Sequence, residues 1–138
     1  MKTSRSAWAA ALMTVIISAC STTSPATASG PAAIVQARYD AMNAGKVDAA
    51  AALFADDAVL VTSPGSIARG ATLRGKIEIR ANMQREADSG AKVETYDYQV
   101  NGETVTYWVR AFVDGRMVNN ASLKAVVRDG KIVSQSPN

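Results

Sequence analysis

Apolar positions recur at two different periods along the chain, and the change from one to the other near Gly90 separates a mainly helical part from a strand-rich part. In the first part, Ile34, Val35, Tyr39 and Met42 fall on one helical face, in a segment that opens on Pro31 and stops at Asn43-Ala44-Gly45. Proline suits a first helical turn because it has no amide hydrogen to leave unpaired and its φ is preset. The alanine-rich residues 46–54 predict a second helix running into Ala55-Asp56-Asp57-Ala58, after which residues 59–62 predict a strand. Residues 63–75 contain Pro64, Gly65, Gly70 and Gly75 and predict a loop. Ile79, Met83 and Ala87 share one face of a third helix, which Ser89-Gly90 terminates.

Beyond Gly90 the pattern predicts strands over residues 93–100, 104–113, 117–128 and 132–135, separated by Asn101-Gly102, Asp114-Gly115 and Asp129-Gly130. Such pairs favour the positive φ of tight hairpin turns, so the three in succession predict an antiparallel meander. On residues 104–113, Val105, Tyr107, Val109 and Ala111 share one face, while Thr106, Trp108, Arg110 and Phe112 share the other. Both faces carry aromatic bulk. The strand is therefore expected to be covered on both sides, the outer side by a second copy of the chain in a homodimer.

The start of the chain follows a different logic. Lys2 and Arg5 precede an uncharged run over residues 7–17, and Ile17-Ser18-Ala19-Cys20 closes it. A charged start, an apolar core and small residues before a cut describe an export segment, and the run is short of the roughly 20 apolar residues that span a bilayer. The pattern resembles the lipobox of bacterial lipoprotein precursors. That resemblance implies a signal peptide over residues 1–19, a lipid on Cys20, and a place in the cell envelope, anchored to a membrane facing the periplasm or exterior. Cys20 is the single cysteine of the chain, so a disulfide cannot account for it. Residues 20–31 are small and uncharged and read as a flexible tether, leaving 32–138 as the folded domain.

Charge adds little once the leader is set aside. The chain has 15 basic and 12 acidic residues, but Lys2 and Arg5 belong to the export segment and no Lys/Arg cluster remains after it, so nucleic acid is not an expected partner. Histidine is absent, and the one cysteine is committed to the lipid. The commonest metal ligand and a thiol nucleophile are thereby removed, and neither a metal nor a cofactor is expected.

The residues Asn43-Ala44-Gly45, Leu53-Phe54-Ala55-Asp56-Asp57-Ala58-Val59, Gly75 with Ile79-Arg80, and Arg128-Asp129-Gly130-Lys131-Ile132 resemble, in order and spacing, the nuclear transport factor 2-like superfamily, and within it the SnoaL-like group. The resemblance covers residues 33–134. It implies an α+β fold, a cystatin-like roll in which a strongly curved antiparallel sheet forms a cone around about three helices and leaves a pocket at its open end. It does not imply one activity, because the superfamily contains isomerases, cyclases, dehydratases, epoxide hydrolases and binding domains.

Compared residue by residue, the catalytic sets of that superfamily are missing. Its steroid isomerases place an aspartate base after the Ala-Asp-Asp-Ala run, where this chain has Thr62 or Ser63. Their second, protonated aspartic acid falls on Leu123 or Lys124. Their helix-one tyrosine sits one place before Tyr39, where this chain has Arg38, and one residue is about 100° of helical rotation. Tyr39 itself is expected to be a core tyrosine with a satisfied hydroxyl. The dehydratases need a histidine. Asp56 and Asp57 are expected to stabilise a helix-to-strand turn, Asp129 only a hairpin, and Arg69, Arg74 and Arg80 a solvated face.

By resemblance, the strand face with Tyr107 and Val109 lines the cone together with Phe54, Leu60, Thr62 and Gln135. These residues offer hydroxyls and an amide in an apolar wall, a composition suited to binding a small, partly apolar ligand. The chain is accordingly expected to be a lipid-anchored binding domain or accessory module. Two other readings stay open: an enzyme of isomerase, dehydratase or hydrolase type using Tyr107 with Arg110 or Asp97, marked by a buried Asp97, and a protein-protein module, marked by a closed cavity and a broad apolar outer face around Trp108 and Phe112.

Overall fold

The computed structural model describes residues 30–138, so the expected signal peptide, Cys20 and nearly all of the tether lie outside the described residues. Within them the order is α1 (Pro31–Asn43), α2 (Val47–Ala51), β1 (Phe54–Val61), β2 (Thr72–Arg74), α3 (Gly75–Asp88), β3 (Lys92–Asn101), β4 (Thr104–Val113), β5 (Arg116–Arg128) and β6 (Lys131–Pro137). The strands form one curved sheet in the order β2-β1-β6-β5-β4-β3. Every pairing is antiparallel apart from β1 with β6, which is parallel. The core lies between the helices and the concave face, where Val35, Phe54, Ile79, Met83, Val105, Tyr107 and Ile132 are fully buried.

Local chemistry explains the turns. Asp114 and Asp129 take positive φ immediately before Gly115 and Gly130, as two-residue turns with positive φ at both centres require. The first hairpin differs by one residue: Asn101 pairs with Thr104, so Gly102 and Glu103 make the turn. The Glu103 carboxylate then accepts from Arg128 on the neighbouring strand. Register shifts place an extra residue on β3 between Tyr96 and Gln99, on β5 at Val118 opposite Ala111-Phe112, and on β6 at Val133 opposite Val126-Val127, and an extra residue on one strand kinks it and increases its twist.

Three expectations change, each through pairing with another strand. The second helix ends at Ala51 rather than at Phe54, because the Leu53 carbonyl accepts from the Ile132 amide at 2.8 Å and Phe54 opens β1 opposite Ile132. Pairing with β6 overrides the helix propensity of the alanines. Asp56 and Asp57 therefore sit exposed in an irregular stretch of β1, not at a helix-to-strand junction. The expected loop over 63–75 holds the short strand β2, which pairs with the end of β1. The last strand continues through Ser136 to Pro137, opposite Leu123, a strand end where a missing amide hydrogen is tolerated.

Helix α1 is fixed at both its end and its flank. Lys46 N donates to Ala41 O at 2.8 Å and Gly45 N to Met42 O at 2.9 Å, closing the helix with the left-handed glycine that Asn43-Ala44-Gly45 announces. The Asn43 side chain donates to Val93 O at 2.7 Å and accepts from Val93 N at 2.8 Å, which clasps the helix end to β3. Phe54, fully buried under α1, is the strongest test of this packing. Phe54→Ala should cost about 3–5 kcal/mol of unfolding free energy, read from urea denaturation followed by circular dichroism.

Candidate functional site

The concave face does not close completely. Between α1, the end of α3, the loop after β1 and the ends of β4 and β5 lies a cavity of about 180 Å³ that opens to solvent. Leu60, Val109 and Leu123 supply much of its apolar wall, and Arg38, Gln135 and Asn119 its principal polar groups. The loop at the mouth is tied down: Asn119 Nδ2 donates to Ser63 Oγ at 2.8 Å, and Thr62 N donates to Ala71 O at 2.9 Å. Gly65 lies so close to the Asn119 amide that an added Cβ would stand 2.7 Å from its oxygen, so this rim accepts no larger residue without releasing Asn119.

Tyr39 lines the cavity and joins Tyr107 and Tyr98 in a cluster of tyrosines beneath it. The hydroxyls of Tyr39 and Tyr107 are 3.2 Å apart, their rings meet edge to face, and Tyr98 stacks on Tyr107 at 5.6 Å. Gln135 Nε2 reaches the Tyr39 hydroxyl at 3.5 Å. Burial pushes the Tyr107 phenol well above the ordinary tyrosine range, helped by Tyr39 and opposed by Arg38. Burial also raises Tyr98, against the hydrogen bond to Thr95. Desolvation alone would lower Arg38, but Tyr39, Glu86 and Tyr107 together raise it, so its guanidinium stays charged.

Of the residues expected to line the pocket, Leu60, Thr62, Val109 and Gln135 reach the cavity. Phe54 and Tyr107 do not line it; both are fully buried in the core beneath. The alternative catalytic grouping is not assembled. Tyr107 is on the concave face, whereas Arg110 is exposed on the outer face with its guanidinium 4.2 Å over the Tyr96 ring. Asp97 is exposed at the β3 bulge with φ of 53°. Asp56 is an exposed partner of Lys76 at 2.9 Å, and that hydrogen bond holds its carboxyl below the usual range. Arg69, Arg74 and Arg80 stay outside the cavity, Arg80 pairing with Asp48. On the outer face Trp108 is 39% exposed and stacks on Tyr96, whose hydroxyl donates to Asn120. Among the described residues no group of His, Cys, Asp or Glu is gathered to hold a metal ion.

The residue that sequence reasoning underrated is Arg38. It is 3% exposed and lines the cavity. Its signal was present: Val35, Arg38, Tyr39 and Met42 are spaced i, i+3, i+4, i+7, so the arginine completes the apolar face of α1 rather than its solvent face. Glu86 of α3 is a second such case, half-buried at the same cavity, with Asn82 Nδ2 donating to it at 2.8 Å.

Comparison with known proteins agrees with this geometry. The chain belongs to the SnoaL-like domain family, which matches residues 35–135. No curated protein matches it significantly in sequence. Solved structures share the fold: a proposed polyketide cyclase from Sinorhizobium meliloti has 21% identity and a TM-score of 0.63 over 76% of this chain and 93% of its own. A proposed ketosteroid isomerase from Kribbella flavida has 15% identity and a TM-score of 0.64 over 78% and 75%. A computationally designed binder of 17-OHP has 18% identity and a TM-score of 0.67 over 80% and 92%. The fold is thus that of the nuclear transport factor 2-like proteins.

The raised Tyr107 phenol has a consequence for stability. The unfolded chain ionises this tyrosine near pH 10 while the folded chain keeps it neutral, so its contribution is complete below about pH 10 and is lost above it. Thermal melts from pH 8 to 11.5 should show a decline that is shallower in Tyr107→Phe by up to about 1.4 kcal/mol per pH unit.

Proposed function

We propose that this domain binds a small, partly apolar molecule in the cavity, and that a lipid on Cys20 holds it at a membrane of the cell envelope. The observation that carries the first part is the cavity itself: open on one side, walled by Leu60, Val109 and Leu123, and furnished with a few convergent polar groups. At about 180 Å³ it is of the order of cavities that hold a single ring, so a one-ring or short-chain body fits. The designed 17-OHP binder supports the reading by showing that this fold can be given a small-molecule site. Turnover by proton transfer needs an acid or base within reach of the ligand, and the carboxylate at this cavity, Glu86, is engaged by Asn82. The anchoring part is supported by the lone cysteine behind an uncharged run.

A melting-temperature screen of the full chain in nonionic detergent, against steroids, terpenoids, acyl chains, aromatic polyketides and cell-wall fragments, tests the pocket. A ligand at a hundred times its Kd adds about 2.7 kcal/mol, enough to move the midpoint by several degrees. One class should give such a shift, and Ala111→Phe, which fills the cavity from its β4 wall, should abolish it. No shift across the panel, or a shift that survives Ala111→Phe, contradicts the reading. For the anchor, Cys20→Ser should move the protein from the membrane fraction to the soluble fraction; a wild-type chain already in the soluble fraction contradicts it.

A further inference from the structure

One wall of the cavity is left chemically incomplete by the protein around it. Arg38 is buried, yet the ion pairs among the described residues join Lys76 to Asp56, Arg80 to Asp48 and Arg128 to Glu103, and none includes it. Its Nε has no hydrogen-bond partner. Its guanidinium carbon lies 4.0 Å over the Tyr39 ring and 5.8 Å from the centre of Phe54. Such aromatic contacts cover the face of the planar group, whereas its N–H donors all lie along the edge. Glu86 faces the same cavity but makes no ion pair with Arg38.

A second orphan sits at the same cavity. Gln135 Oε1 is buried without a partner, and its amide nitrogen has only the 3.5 Å contact with Tyr39. Buried polar groups are nearly always hydrogen-bonded, and a buried charge is costly unless it is paired. Arg38 Nε, a donor on a cation, and Gln135 Oε1, a neutral acceptor, are thus both unmatched, and both residues line the same cavity. The natural complement of an arginine edge is a carboxylate, whose two oxygens match the guanidinium fork.

The geometry points to an apolar acid as the occupant: a carboxylate forked on the edge of Arg38, a one-ring or short-chain body against Leu60 and Val109, and a hydrogen-bond donor on that body reaching Gln135. This assignment names the ligand class of the cavity and rests on the binding function proposed above.

Matched pairs separate the charge from the shape. Isothermal titration calorimetry of the full chain in nonionic detergent, with benzoate, 3-phenylpropionate and octanoate against their primary amides, should find at least one acid bound about tenfold more tightly than its amide, as charge-assisted hydrogen bonds allow. Arg38→Met, similar in length but uncharged, should weaken that acid about tenfold and the amide by less, so that the preference for the acid disappears. Amides that bind as tightly as the acids would overturn the carboxylate assignment while leaving the pocket in place. An acid preference that persists in Arg38→Met would overturn the role of Arg38. No binding of any pair to a cooperatively folded chain would overturn both the assignment and the binding function. The comparison of acid with amide in the unaltered chain decides the matter even where the variant does not fold.

Discussion

Two hydrogen bonds between the Asn43 side chain and the backbone of Val93 hold the end of α1 to an edge strand, and the arrangement of the concave face depends on them. With that end clasped and the last turn closed by Gly45, the helix has little freedom to roll on the sheet. Its inward face is then set: Val35 and Met42 pack into the core, Tyr39 meets Tyr107, and Arg38 is held between aromatic rings with its charge out of water. The same asparagine's carbonyl accepts from Lys92 at 2.7 Å, so helix and strand are joined by three contacts through one residue.

The sheet beneath divides into a floor and a mouth. Toward β1 and the first halves of β4 and β6, large side chains such as Phe54, Tyr107 and Ile132 close the space completely. Toward the far ends of β4 and β5 the concave positions pass to Val109, Ala111 and Asn119, and the space opens. The floor is filled by stacked rings, with the Tyr39 and Tyr107 hydroxyls bonded to each other and that of Tyr98 bonded to Thr95, so the polar character left for a ligand resides mainly in Arg38, Gln135 and the tied loop at Ser63. A protein under selection for stability alone has no need of a buried guanidinium without a direct ion-pair partner; replacing such groups with apolar ones is often neutral or stabilising. Its presence at a cavity is best explained by what enters the cavity.

Much of the fold was legible because it is locally encoded. The Asp-Gly turns and the alternation in β4 specify which strands are neighbours and which side chains share a face, and both are properties of adjacent residues. The family resemblance rested on the segments around Asn43-Ala44-Gly45, Leu53 to Val59, Gly75 with Ile79-Arg80, and Arg128 to Ile132, and the cap and clasp at Asn43 now have a physical account. What could not be read was long-range. Phe54 leaves the helix because Ile132 pairs beside it, and no local pattern announces a parallel partner from the other end of the domain. Phe54 and Tyr107 were expected at the pocket wall by resemblance, which gives the inner face but does not distinguish the floor from the open end. Arg38 was read only as the residue standing where the isomerases have a tyrosine, although its spacing with Val35, Tyr39 and Met42 places it on the buried face.

The measurement that tests this account most directly is a crystal structure of the protein grown with 3-phenylpropionate. The account predicts both carboxylate oxygens within about 3 Å of the Arg38 guanidinium nitrogens, the ring lying against Leu60 and Val109. A structure in which the acid is absent from the cavity, with Arg38 paired instead to Glu86, would contradict it.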